Sequence, residues 1–282
     1  DFDNPSDTGS NNNYEVVVTA TDAVGIASNQ EVNVLVADEL EVTQIGQDID
    51  GQAYADNFGS AVAISSNGKI VAASSPGNDA NGKSSGDVRI FKTVGNAWQQ
   101  IGNDIRGETQ YDFAGSGSNS IALSDDGNIV AIGAYGNDGN GEYSQYGYKA
   151  PGHVRIFRNT NNSWQQIGEI IGETSGDQSG KAITLSGDGS IIAIGAAEND
   201  DNGESSGHVR VFRNDNDTWK QIGADIDGEA TRDWSGGSIS ISGDGSIIAI
   251  GARGNDAGGD YRGHVRVYKN VDNSWEQLGE DI

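Results

Sequence analysis

A short motif of the form Trp-x-Gln-x-Gly recurs along the chain. The motif begins at Trp98 and returns at Trp164, Trp219 and Trp275, after 66, 55 and 56 residues. A degraded copy, Val42-Thr43-Gln44-Ile45-Gly46, begins 56 residues before Trp98. Repeats of this length indicate that one supersecondary unit recurs along the chain and that neighbouring units bury each other.

Each repeat predicts four short strands. Apolar residues occupy nearly every position of Ile191–Ala196, which is typical of a strand buried on both faces. Such strands follow Asp-Gly pairs that favour hairpin turns, at 126–127, 188–189 and 244–245. We therefore predict an all-β fold in which residues 41–282 form β-propeller blades, each a four-stranded antiparallel sheet of about 56 residues.

The composition restricts the classes of partner that the chain is expected to bind. The net charge of −25 disfavours binding to nucleic acid and to anionic membranes, and it favours binding of hard cations such as calcium. There is no cysteine, which excludes disulfides and thiol catalysis. No apolar run approaches the 18 residues of a membrane span, so we expect no direct membrane insertion. Because methionine is also absent, we expect a processed or partial chain.

Residues 1–40 lie outside the repeat. Tyr14–Ala20 and Glu31–Val36 alternate between apolar and polar residues and flank a turn at 22–25, which predicts a hairpin. Two strands cannot enclose a core of their own. We therefore expect the C-terminal part of a β-sandwich.

This segment resembles the end of a cadherin-type repeat in its Asp1-Phe2-Asp3, Ala20-Thr21-Asp22 and Val36-Ala37-Asp38 motifs. In that family such acids bind calcium between tandem domains. The resemblance implies calcium ligation by Asp1, Asp3, Asp22 and Asp38. The linker departs from the family, since Glu39 and Leu40 stand where Asn-Asp-Asn is expected.

The repeats resemble FG-GAP repeats, the blades of integrin α-subunit heads and of bacterial surface proteins. Phe58-Gly59 matches the first half of the family motif, and the second half is matched at 74–76, 133–135, 195–197 and 251–253. The family's Asp-x-Asp-x-Asp-Gly calcium loop is missing, so that site is not implied. The repeats make up four complete units, and the resemblance implies seven blades in all. We expect the propeller to continue beyond residue 282, because the early copy at 42–49 has no partner sheet.

The loop after each second strand repeats the pattern Asn-Asp-x-Asn-Gly with small changes. Alternating side-chain oxygens closed by glycine can surround a calcium ion. Asx turns need the same residue types, so both interpretations stay open. The calcium interpretation assigns these ligands: Asp79, Asn81, Asp138, Asn140, Asp200, Asn202 and Asp256.

Three further sets of residues recur once per repeat. An Asp before the first strand and an Arg on the third predict a structural ion pair, in the sets Asp56, Asp112, Asp177, Asp233 and Arg89, Arg155, Arg210, Arg266. We expect the tryptophans to fill the spaces between blades and to stack on an arginine, with sugar stacking as the alternative. The histidines His153, His208 and His264 could share a metal only if they faced a common channel, and hydrogen bonding at the strand start is the alternative.

The second repeat has an enlarged loop that is rich in tyrosine. Tyr143, Tyr146 and Tyr148 in this loop predict a contact with a specific partner. Packing against the neighbouring blade is the alternative.

The sequence contains no Ser-His-Asp arrangement, phosphate loop or zinc spacing, so we expect no enzyme. We expect a secreted or cell-surface module for adhesion or structure, which favours calcium and binds an extracellular protein or copies of itself. Open sheet edges would then favour a filament. A glycan-binding propeller is the alternative, carried by rim aromatics such as Tyr146 or Trp234.

Overall fold

A computed structural model describes residues 13–21, 23–25, 27–35, 44–139, 149–256 and 261–282. Every regular element in these ranges is a β-strand, which confirms the all-β prediction. Nothing in them is a helix able to cross a membrane. The chain divides into two compact units, Asp1–Ile45 and Gly46–Ile282. Several predicted site residues lie outside the described residues: Asp1, Asp3, Asp22, Asp38, Asn140, Tyr143, Tyr146 and Tyr148.

The first unit contains the predicted hairpin. Strand β1 (Asn13–Thr21) pairs with β2 (Ala27–Leu35) in an antiparallel register that places Asn13 opposite Leu35. The turn includes Gly25, whose φ of +87° suits glycine.

The second unit contains four antiparallel sheets, one for each repeat. Sheet 1 consists of β3 (Val62–Ile64), β4 (Ile70–Ser75), β5 (Asp87–Val94) and β6 (Ala97–Gln100), with the short β7 (Ile105–Arg106) also paired to β5. Sheet 2 consists of β8 (Ile121–Leu123), β9 (Ile129–Ala134), β10 (His153–Thr160) and β11 (Ser163–Ile171). Sheet 3 consists of β12 (Ala182–Leu185), β13 (Ile191–Ala196), β14 (His208–Asp215) and β15 (Thr218–Gln221), with β16 (Ile226–Asp227) also paired to β14. Sheet 4 consists of β17 (Ser235–Ile241), β18 (Ile247–Ala252), β19 (His264–Val271) and β20 (Ser274–Gln277).

The apolar second strands are buried, as their composition predicts. All six residues of β13 are buried between β12 and β14. The core is divided into three clusters, and each cluster joins two consecutive sheets. The sheets therefore pack side by side, and each depends on its neighbours for burial of its apolar faces.

The repeated tryptophan joins each sheet to the preceding one. The Trp164 indole N–H donates to the Ile101 carbonyl at 3.0 Å, and the Trp275 N–H donates to the Ile222 carbonyl at 2.9 Å. The glycine that ends the preceding motif lies directly under the indole. A Cβ atom there would lie within 2.8 Å of the ring at Gly102, Gly168 and Gly223. The tryptophans thus lie between consecutive sheets, as predicted.

We call the side of a sheet that packs against the following sheet its flank. The flank of sheet 4 is exposed, whereas the flanks of sheets 2 and 3 are covered. Val265 is 37% exposed, whereas Val154 and Val209 at the same position are fully buried. Leu278 is 52% exposed, whereas its counterpart Ile222 is buried. At the other end of the array, two residues of β3 are exposed, Val62 and Ile64.

A comparison of two glycines separates the contribution of the indole contact to the free energy of unfolding. Gly223 and Gly279 have similar φ angles, +79° and +82°, but only Gly223 lies under a tryptophan. Alanine at either position costs about 1 kcal/mol for the left-handed backbone. We expect Gly223→Ala to cost a further ~1–3 kcal/mol, because its Cβ would lie 2.7 Å from Trp275 Cδ1.

Urea unfolding of both variants measures this difference in the free energy of unfolding. Adding Trp275→Ala to Gly223→Ala should remove the extra cost. Equal costs for Gly223→Ala and Gly279→Ala would show that the indole is not held against the glycine.

Candidate metal centres

Three sheets begin their third strand with a buried histidine. His153, His208 and His264 open β10, β14 and β19, and their side chains are 1%, 1% and 6% exposed. Sheet 1 has Asp87 at this position. The start of this strand pairs with the chain that follows the Trp motif, as in the His153–Ile171 and His208–Asp227 pairs.

Each histidine lies among carboxylates that come from separate segments. One glutamate follows a glycine in the link between two sheets, and another acid follows the Trp motif. The ligand atoms of each cluster lie within 4.8 Å of one another. The clusters are the His153 centre (Glu108, His153, Glu169), the His208 centre (Glu173, Asp201, His208, Asp225) and the His264 centre (Glu229, His264, Asp281). The histidines thus occupy three separate clusters instead of sharing one channel site.

The histidine Nδ1 atoms lie 3.3–3.8 Å from the carboxylate oxygens of their centres, which is longer than a charged hydrogen bond. His153 Nδ1 lies 3.3 Å from Glu169 Oε1, and His264 Nδ1 lies 3.3 Å from Asp281 Oδ2. Both nitrogens are buried, and neither has a hydrogen-bond partner in the described part of the chain. A charged hydrogen bond would be about 2.7–2.9 Å long. Two ligand atoms that each lie about 2.1 Å from a tetrahedral ion are roughly 3.4 Å apart.

The protonation state of His153 agrees with this interpretation. Burial lowers the pKa of His153 to about 3, and the positive charge of Arg155 acts in the same direction. The imidazole is therefore neutral at pH 7 and cannot form a true salt bridge. A neutral imidazole with an unused nitrogen is the form that a divalent metal ion requires.

The arginines of the third strands have different partners from those we predicted. Each one donates from Nη2 to a backbone carbonyl at the end of the preceding segment, at 2.5–2.8 Å. In sheets 2 to 4 the Nη1 atom lies 3.4–3.9 Å from the linking glutamate of the centre, namely Glu108, Glu173 or Glu229. An aromatic ring two residues later lies 5.3–5.5 Å from the guanidinium carbon, so arginine packs on Phe or Tyr and not on the repeated tryptophan.

The recurring aspartates cap the turns that carry these glutamates. Asp112 Oδ2 accepts the backbone N–H groups of Glu108 and Thr109 at 2.7 and 2.8 Å. Asp177 accepts from Thr174 at 2.9 Å, with the same geometry. The predicted Asp–Arg clamp is thus replaced by an aspartate that shapes the turn and a glutamate that approaches the arginine. The sequence spacing did not distinguish these two acids.

A signal for the centres is present in the sequence but was missed. The pair Gly-Glu recurs at 107–108, 172–173 and 228–229, and the first repeat has Gln52 at that position. The first repeat also has Asp87 in place of histidine. Histidine and glutamate are therefore present together in three repeats and absent together from one.

The Asn-Asp loops are organised by hydrogen bonds to the backbone. The first asparagine of the loop accepts a backbone N–H two residues later, as Asn78 does from Ala80 at 2.9 Å. The aspartate that follows accepts an N–H five residues later, at 2.7 Å in the loops of Asp79, Asp200 and Asp256. The amides of Asn81 and Asn202 donate to carbonyls of the links, Gly107 and Gly228. These contacts are those of Asx turns; calcium binding by the loops, including Asp138, stays a prediction.

A groove of about 570 Å³ adjoins the His264 centre. His264 and Ile282 line one side of it. The other walls include Lys181, Trp234, Arg253 and Arg262. Of the three residues of the His264 centre, only His264 lines this groove, which has room for a small molecule.

No protein-family model and no curated protein matches the sequence. Among solved structures, the chain is similar to that of a putative 6-phosphogluconolactonase from Bacteroides fragilis, with 15% identity and a TM-score of 0.52 over 95% of this chain. It spans 64% of the length of that protein. A functionally unknown protein from Desulfotomaculum acetoxidans gives a TM-score of 0.48 at 15% identity, covering 78% of this chain and 55% of that one. Hydrazine synthase from Kuenenia stuttgartiensis gives 0.47 at 12% identity, covering 83% and 52%.

The first of these similarities corrects our expectation of function. A similar fold occurs in a protein described as a putative 6-phosphogluconolactonase, which is an enzyme. The predictions of a non-catalytic protein and of an extracellular adhesion module are therefore wrong. The non-catalytic prediction rested on the absence of a known catalytic motif, and the adhesion prediction rested on the family resemblances.

The low pKa of His153 predicts acid sensitivity. In the unfolded chain the histidine pKa is near 6.5, and in the metal-free folded protein it is about 3. The unfolded state therefore binds more protons between these values. The contribution of His153 is complete above pH ~6.5 and is lost progressively towards pH 3, by up to about 1.4 kcal/mol per pH unit.

We expect His153→Gln to remove this part of the pH dependence. Urea unfolding of the metal-free protein and the variant between pH 7 and pH 4.5 measures it. Parallel curves for the two proteins would contradict a neutral, buried His153.

Proposed function

We propose that this chain forms part of a β-propeller enzyme that holds a divalent metal ion and hydrolyses an ester-type bond. The observation that carries the proposal is the His264 centre. Among the described residues its buried imidazole Nδ1 has no hydrogen-bond partner, carboxylate oxygens of Asp281 and Glu229 lie 3.3 and 3.7 Å from it, and His264 also lines a groove. The similarity to a structure described as a lactonase makes a sugar lactone the first substrate to test.

The residues of the centre suit metal-assisted hydrolysis. A divalent ion with an open coordination position acts as a Lewis acid and makes its bound water acidic near neutral pH. His264, Glu229 and Asp281 would hold the ion, and the oxygen of Glu229 or Asp281 that does not bind the ion could accept the proton of the attacking water. The water oxygen would bond to the lactone carbonyl carbon and the ring C–O bond would break. The ring oxygen would take the proton, giving a hydroxy acid.

Metal binding and activity can be measured on one set of proteins. We expect Zn²⁺ or Co²⁺, titrated into chelator-treated protein, to bind at up to three sites per chain. His264→Gln should remove one site and lower lactone hydrolysis by at least about 100-fold, as loss of metal-assisted catalysis would. Isothermal titration and a pH-stat assay with glucono-δ-lactone and its 6-phosphate measure the two effects.

Lys220→Gln is the matched control, because Lys220 contacts Asp215 on the surface. It should keep both properties. Hydrolysis that is unchanged by chelator, or by His264→Gln, would overturn the metal-dependent mechanism. A chain that binds no ion at micromolar concentration would overturn the centres themselves.

We further propose that the four sheets are blades of an FG-GAP-type propeller completed by further sheets. The early copy of the motif supports this, because it repeats the contacts that join consecutive sheets. Asp50 O accepts from Arg89 Nη2 at 2.7 Å, and a Cβ at Gly46 would lie 3.2 Å from Trp98. The segment 46–50 thus lies against sheet 1 as the last strand of a preceding blade would.

Equivalent residues on covered and uncovered flanks give a test. Val209 is buried by sheet 4, so Val209→Asp should cost more than about 3 kcal/mol through an unpaired buried charge. Val265→Asp should cost less than about 1 kcal/mol in the same chain, since Val265 is exposed. Urea unfolding measures both values.

Sedimentation of the unmodified chain is the control. Self-association that Val265→Asp abolishes would show that copies of the chain cover this flank. That outcome would contradict completion by further sheets of one ring.

A further inference from the structure

The groove beside the His264 centre is lined by three cationic side chains. Lys181, Arg253 and Arg262 line it, in a chain with 42 acidic and 17 basic residues. None of the three forms an ion pair within 4.0 Å with a carboxylate among the described residues. Glu198 also lines the groove and is the acidic wall residue described there. Such a concentration of unpaired positive charge is unexpected in so acidic a protein.

The fold does not require these cations. Arg253 follows the second strand of sheet 4, where sheets 2 and 3 have Tyr135 and Ala197. Arg262 lies two residues before His264, where sheet 3 has Ser206. Uncharged residues therefore serve at the same positions in other repeats, and the charges are specific to this groove.

The arginine position stays accessible when a neighbouring sheet is present. Tyr135 and Ala197 remain partly exposed although sheets 3 and 4 pack beside them. A further sheet packed on sheet 4 would cover Val265 and Ile282, two of the residues that line the groove. By this comparison it would leave the Arg253 end open.

Two contacts orient the cations. The Arg253 guanidinium lies 5.0 Å from the centre of the Trp234 ring, and the Lys181 amine lies 4.7 Å from the centre of the Tyr135 ring. These aromatic faces hold the charges in place without neutralising them. Burial lowers the pKa of Lys181; Glu198 opposes this shift, and the nearby charge of Arg253 adds to it. The two cations thus repel each other, and an anion between them would relieve the repulsion.

We infer that this groove binds the oxyanion group of a small molecule, a phosphate or a carboxylate, through Lys181, Arg253 and Arg262. Arginine is suited to such groups because its planar fork can donate two parallel hydrogen bonds. The identification of this molecule as a substrate of the His264 centre rests on the proposed function; the anion site itself does not.

Binding is measured in chelator, so that the metal centre does not contribute. We expect glucose 6-phosphate and inorganic phosphate to change the tryptophan fluorescence, glucose to have no effect, and 0.5 M NaCl to weaken binding. Gluconate in parallel distinguishes a carboxylate from a phosphate ligand. Arg253→Ala and Arg262→Ser each introduce the residue found in sheet 3, and each should raise the Kd about tenfold.

The matched control is Arg213→Gln, which removes one positive charge from the outer surface, where Arg213 contacts Asn273. It should leave the Kd within twofold. Equal effects of Arg213→Gln and Arg253→Ala would overturn the site and leave only general electrostatic attraction. Absence of binding by phosphate, glucose 6-phosphate and gluconate would overturn it as well. Anion binding without metal-dependent hydrolysis would support the site and contradict the proposed function alone.

Discussion

The structure depends on the contact between a tryptophan of one sheet and a glycine of the sheet before it. The indole covers the glycine backbone and, in two of the pairs, donates to the adjacent carbonyl. Each core cluster is shared by two sheets, so a single sheet would leave most of its apolar surface in water. A side chain on this glycine would collide with the indole of the next sheet. This requirement explains why the Trp motif and its glycine recur in every repeat.

The same junction builds the candidate metal centres. Arg210 crosses to the Ile171 carbonyl at the end of the preceding sheet, and its other nitrogen lies 3.4 Å from Glu173. Asp177 caps the turn that carries this glutamate. The link that joins two sheets is thus held in one conformation, and that conformation brings Glu173 to His208. Packing between sheets and preorganisation of the ligands have a common origin.

The regular part of this arrangement could be predicted from the sequence. The strand β13 and its turn follow from six consecutive small or apolar residues after Asp188-Gly189, and each repeat confirms the others. The partner of Arg210 could not be predicted in this way. Glu173 and Asp177 are both acids of one short link, and only the turn geometry decides that Asp177 caps the backbone while Glu173 approaches the arginine. The centres were missed for a related reason, since His208 and its carboxylates belong to segments that meet only when two sheets pack.

The differences among the repeats argue that a centre acts as a unit. A buried histidine needed only for packing could change independently of a glutamate on a separate link. In the first repeat both have changed, to Asp87 and Gln52, while Arg89 and the carbonyl contact that joins the sheets are retained. The structural contact therefore persists without the centre, and the histidine and glutamate are lost together. Burial raises the pKa of Asp87, and its carboxyl group offers no imidazole nitrogen at this position. Joint loss of two groups that are 3.7 or 3.8 Å apart where both are present, as in His264 and Glu229, is what shared ligation of one ion would produce.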